Sequence, residues 1–201
     1  MSEGEKFYIS KSRLEAFSDG VIAIIITIMV LEIKVPHGHD WAALKPLAPV
    51  FFTYILSFIY VGIYWNNHHH LLAAAKRING AAMWANLHLL FWLSLLPFSA
   101  GFMGENHFEM LPTAIYGFVL LMASIAYGIL AKTLIFLSGK DSAIAKAYDK
   151  AGYKEILSTT SYLVAVGLSF FVPAVSLVIY HLVALLWVIP DRRIEKLVDN
   201  K

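Results

Sequence analysis

Between Val21 and Leu31 the chain carries one polar residue, Thr27, and five more apolar runs follow. Such runs have few places to go. About 20 apolar residues in helical form span the hydrocarbon core of a bilayer, where each backbone N–H and C=O must be satisfied inside the protein. The runs cover residues 17–33, 48–75, 81–103, 111–137, 156–171 and 174–188. The last two are short, and Pro173 between them suits a tight hairpin because Pro does not continue a helix. The composition agrees: 59% of the 201 residues are hydrophobic and 15% charged. A mean hydropathy of +0.65 is that of a membrane protein and not of a soluble domain. The expected fold is all-α and polytopic, one six-helix transmembrane domain over residues 1–201.

Loop charges give the orientation. With the N-terminus inside, the inner segments hold thirteen of the sixteen Lys and Arg; the outer loops hold Lys34 and Lys45, and Lys132 lies within the fourth run. Positive residues collect on the cytoplasmic side, so both termini are expected there. The first residues, with Glu3, Glu5 and Lys6, lack an early apolar stretch and read as an uncleaved cytoplasmic tail. Basic residues spread through loops form no patch for nucleic acid. Residues 138–155 read as a charged helical linker at the cytoplasmic surface. The absence of cysteine excludes disulfides and thiol chemistry.

Arg13, Ser18 and Asp19 stand where the first span begins. A carboxylate there is costly, so Asp19 should face protein or water and is a functional candidate. At about 100° per residue, Phe17, Gly20, Ile24, Thr27, Ile28 and Leu31 share one stripe. That stripe fits ordinary helix packing as well as a pore face, where branched side chains from several subunits ring an axis and block ions by dewetting. Ser18 and Asp19 point away from it. The second run ends in Trp65-Asn66-Asn67-His68-His69-His70, level with Asp19. A His or Asn bonded to Asp19 would satisfy the acid, and Asn86 on the third run is a second candidate for the same network. Three consecutive histidines splay around a helix, so at most two could meet a metal. A hydrogen-bonding role is the expectation, with no metal and no cofactor. Pro97 is expected to kink the third helix. There is no Thr-Val-Gly-Tyr-Gly filter, no phosphate-binding loop, no Gly-x-Ser-x-Gly and no His-Glu-x-x-His, and nothing reads as an activated nucleophile.

Arg13-x-x-x-Phe17-Ser18-Asp19 opening the first span, with Trp65-x-x-His68 closing the second, resembles the endosomal/lysosomal potassium channel family of transmembrane protein 175. The resemblance covers nearly the whole chain, since prokaryotic members have similar length, six spans and one Phe-Ser-Asp motif. It implies a cation channel favouring potassium over sodium, in the plasma membrane of a prokaryotic cell. It implies that the first helix lines the pore, with Ile24 as principal constriction and Thr27, Ile28 and Leu31 as further layers. Arg13, Ser18, Asp19, His68 and Asn86 would brace that helix from behind, with Trp65 packed beside them. A one-repeat chain would assemble as a homotetramer in the lipid bilayer around potassium ions. The Asn-Asn-His-His-His run is richer than the motif requires, which leaves open which His pairs with Asp19 and leaves room for pH sensitivity. Two rival readings are a proton-coupled transporter using Asp19 and His68–His70, and an enzyme or scaffold holding a metal at the histidines.

Overall fold

Helices account for almost all of the described chain, residues 10–139 and 141–188 of a computed structural model. Helix α1 (Lys11–Ile28) tightens into a 3₁₀ turn over Met29–Glu32. Asp40 then accepts the Ala43 N–H at 3.0 Å and starts the short α2 (Trp41–Leu44). A 3₁₀ turn at Lys45–Leu47 leads into α3 (Ala48–Ala74), whose first turn holds Pro49 where its missing N–H costs nothing. The Asn79 side chain caps α4 (Gly80–Ser94) through the Ala82 N–H. Pro97 sits in the first turn of α5 (Leu96–Glu105), so the third run is two helices meeting at Leu95. The expected kink falls there, with Leu95 still in right-handed helical conformation.

Helix α5 ends in a Schellman arrangement, with His107 N–H on the Gly104 carbonyl (3.2 Å) and Phe108 N–H on that of Met103 (3.1 Å). Helix α6 (Met110–Ser138) stops at Gly139, whose φ of 91° favours glycine. The Ser142 hydroxyl caps α7 (Ala143–Ser169), and Pro173 opens α8 (Pro173–Val188), the tight connection expected of that proline. Residues 143–155, expected as a separate surface linker, are instead the first half of α7, continuous with the fifth apolar run and packed on α6. Buried Ile144 and Ala145 and half-buried Tyr148 give that half a face that burial against α6 rewards.

Among the described residues, four stretches are long and apolar enough to cross a membrane: Lys11–Glu32, Trp41–Ala74, Gly80–Glu105 and Met110–Ser138. Their burial within the subunit is unequal, 28% for the stretch holding α1 and 67% for that holding α6. Helix α6 is the central post. Its small residues, among them Ala114, Ala123, Ala126 and Ala131, let α4 and α7 approach closely, which is how helices associate where lipid removes the hydrophobic incentive. Beside it α3, α6, α7 and α8 share a tyrosine-rich core. Tyr60 donates to the Tyr180 carbonyl (2.5 Å), Tyr116 meets Ser57 (3.0 Å), and Tyr180 donates to the Thr113 carbonyl (3.2 Å). The Tyr180 hydroxyl fills the space beside Gly117. Helix α1 leans on α3 and α4 at the edge of this bundle.

Gly117→Ala places a methyl group against the Tyr180 hydroxyl. It should destabilise the subunit by about 1–3 kcal/mol, the usual cost of overpacking. A thermal melt in detergent checks this, and an unchanged melting temperature would mean that Tyr180 moves aside freely.

Candidate functional site

The two faces of α1 differ sharply. Leu14, Ser18, Ile22, Ile25 and Met29 are buried against α3, α4 and α5. Phe17, Gly20, Ile24, Thr27, Ile28 and Leu31 are all exposed, Ile24 at 60% and Leu31 at 75%. The stripe read from sequence is therefore not a packing face within the subunit. The Thr27 hydroxyl donates back into the helix, 2.9 Å from both the Ala23 and Ile24 carbonyls, so its lone pairs point outward.

Behind the stripe runs a chain of buried hydrogen bonds. The His68 Nε2 proton is donated to Asn86 Oδ1 at 2.7 Å. Asn86 Nδ2 donates to Ser18 Oγ at 2.9 Å, and the Ser18 hydroxyl donates to the Leu14 carbonyl at 2.8 Å. His68 is 1% exposed, Asn86 and Ser18 not at all. Each donor finds one acceptor, so the chain has a single direction and one His68 tautomer. In a low-dielectric interior such a fully satisfied set is rigid, whereas loss of one member strands the others. The three residues come from three helices, α3, α4 and α1, and clamp them at one level.

Asp19 is served differently. Its Oδ1 accepts the Trp65 indole N–H at 3.0 Å, on the exposed flank of α1. A His or Asn was the expected partner. Asp19 lies about 100° around the helix from Ser18, which turns it out of the α1–α4 seam and towards the α3 flank. Trp65 packs its ring on His69, centroids 6.4 Å apart, and His69 stands edge-on to His70 at 5.6 Å. With His68 turned inward and His69 and His70 outward, no three potential ligands group together among the described residues. His88 accepts from the Trp92 indole (2.9 Å), and His181 Nδ1 donates to the Leu177 carbonyl (2.8 Å). Arg13 is exposed and belongs to neither set.

Lys11 was missed. Its Nζ donates to the Ala73 and Ala75 carbonyls, at 2.9 and 3.3 Å, where α3 ends and a cation complements the helix dipole. Glu15 lies one turn on, 3.9 Å from the same nitrogen. The sequence held a signal: Lys11 precedes Ser18 by seven residues, two helical turns, and so shares its face. At the other end of α1, Lys34 meets Glu105 of α5 at 2.5 Å. That hydrogen bond and the Glu105 charge hold the Lys34 ammonium above its ordinary pKa. Helix α1 is thus tethered to the rest of the chain at both ends and by the buried clamp, on one side only.

Comparison with known proteins is consistent along the chain. Residues 13–97 match the family model of the endosomal/lysosomal potassium channel TMEM175. A potassium channel of Chryseobacterium sp. (strain P1-3) is 54% identical over 187 residues, covering 93% of this chain and 97% of that one. A potassium channel of Streptomyces collinus is 32% identical over 186 residues, 86% and 89% of the two chains. The crystal structure of a lysosomal potassium-selective channel TMEM175 homolog from Chamaesiphon minutus superimposes with a TM-score of 0.78 at 28% identity, over 89% of this chain and 96% of that one.

Asn86→Ala strands His68 and Ser18 at once and should cost about 1–3 kcal/mol, the penalty for unpaired buried polar groups. Ser18→Ala made in that background should then cost much less than it does alone. Melting temperatures of both single variants and the double variant check this, and strict additivity would dissolve the clamp into unrelated contacts.

Proposed function

Because the chain belongs to the TMEM175 family of endosomal/lysosomal potassium channels, a family of channels and not of enzymes, we propose that it is the subunit of a potassium-selective cation channel. Four copies surround a pore lined by α1. Both termini are cytoplasmic, and six segments cross the plasma membrane of a prokaryotic cell: the four long stretches, the apolar part of α7, and α8.

The observation that carries this reading is the exposed stripe on α1. A helix that uses one face to bind its own subunit and offers Ile24, Thr27, Ile28 and Leu31 on the other is built to meet copies of itself. Closed cyclic symmetry brings four such faces to one axis. Ile24, Ile28 and Leu31 then form an apolar neck that holds no water when narrow and passes ions when it widens. Potassium sheds its water more readily than sodium, so a neck without ligands discriminates by the cost of dehydration. Thr27, with its lone pairs turned outward, adds one polar layer between the apolar ones. The His68–Asn86–Ser18 chain and the Trp65–Asp19 pair hold the inner end of the pore helix from behind, so that the neck width is set by the subunit and not by the loose helix.

Proteoliposomes holding the purified protein should take up potassium faster than sodium, with Ile24→Asn lowering that ratio by wetting the neck. Equal ratios in Ile24→Asn and the unaltered protein would remove Ile24 from the pore. Native mass spectrometry should report four copies per particle, and a stable monomer or dimer would contradict the fourfold axis.

A further inference from the structure

Away from α1, the first half of α7 carries a carboxyl group that the clamp does not use. Glu155 lies opposite Gly128 of α6, and its carboxyl oxygen takes the space that a side chain at 128 would fill. It forms one wall of a cavity of about 30 Å³, room for a single water. Helix α3 brings Tyr64 and Asn67 to that cavity, α6 brings Tyr127, and α8 brings Trp187. The surroundings are mostly aromatic, an unusual place to leave an acid.

The groups that act on the carboxyl come from each neighbouring element. Tyr148 of α7 turns its hydroxyl to the same space beside Gly128. Tyr64 of α3 and Tyr127 of α6 stand close, and Lys132 of α6 is the opposite charge. Lys154 donates to the Leu186 carbonyl of α8 at 3.3 Å with its ammonium 5.9 Å from the ring of Trp187, which does not titrate. Glu155 precedes the apolar stretch of α7. Withdrawal from water raises its carboxyl above the ordinary range, while the Tyr148 hydroxyl and Lys132 pull the other way.

The cavity adjoins the clamp. Asn67 lines it and is followed in α3 by His68, and the Tyr127 hydroxyl donates to the Asn67 carbonyl at 3.4 Å. A charge gained or lost at Glu155 therefore acts on the turn of α3 that holds α1. We propose that Glu155 is a proton-binding site that tunes conduction by shifting this turn. Its effect on flux rests on the channel reading; the proton site itself does not. The proton is bound below the raised pKa of the carboxyl and lost above it. The neutral acid suits the aromatic cavity, and the ionised one draws Lys132 and water into the gap.

Two measurements on the purified full chain test this. Infrared difference spectra across a pH titration should show a protonated-carboxyl band that disappears above the ordinary carboxylate range, and Glu155→Gln should lack it. Potassium flux in proteoliposomes should step at the same pH, and Glu155→Gln should flatten the step. Gly128→Ala, which evicts the carboxyl without altering it, should move band and step together towards the ordinary value. A band and step unchanged in Glu155→Gln would overturn the site. Loss of the band with an unchanged flux profile would overturn the coupling. A band that titrates in a protein carrying no flux would support the proton site and sink the channel reading.

Discussion

One directional chain of hydrogen bonds, from His68 through Asn86 and Ser18 to the Leu14 carbonyl, ties three helices at a single depth. Much else follows from it. Apolar contact alone is a weak tether in a bilayer, because lipid tails offer α1 the same surroundings as its neighbours do. A buried polar chain is specific in a way that leucine packing is not: it is satisfied in one register and penalised in any other. Lys11 on the end of α3 and Lys34 on Glu105 extend the same logic to the two ends of the helix. All these bonds lie on one side of α1, and so its other side is left bare.

The bareness of that side is what gives the helix its proposed use. A soluble protein would avoid an exposed stripe holding Ile24, Ile28 and Leu31. Here the stripe sits on the least buried of the four long apolar stretches, at the margin of the subunit. The remainder of the bundle supplies rigidity. Small residues on α6 draw α4 and α7 in, and Tyr60, Tyr116 and Tyr180 of α3, α6 and α8 fill the gaps while sending their hydroxyls to carbonyls and a serine. Most buried side-chain polar atoms are thus satisfied inside the bundle, as lipid demands, with the Thr113 hydroxyl the exception among the described residues.

Continuity of α7 alters how the cytoplasmic side is understood. Residues 143–155 look like a solvated linker because charges outnumber large apolar side chains. Yet Ile144 and Ala145 are buried, and Glu155 reaches the space left open by Gly128. A linear pattern does not reveal such a fit, since the complement to Glu155 is a missing side chain 27 positions away.

The all-helical fold, its long apolar runs, the proline that interrupts the third run and the hairpin at Pro173 all follow from the sequence. Each follows from local chemistry: run length, hydropathy and the missing proline N–H. The sequence also picked out the stripe on α1 and the polar residues gathered at one level on the first three runs. Tertiary structure alone decided how those polar residues pair. Ser18 and Asp19 are adjacent in sequence, but 100° of helical rotation sends one to Asn86 and the other to Trp65. Lys11 finds its carbonyls only where α3 happens to end, and the stripe is known to be bare only once the opposite face is packed. Periodicity states which residues share a face; which face is buried depends on the neighbours, and those are set by the packing of the whole bundle.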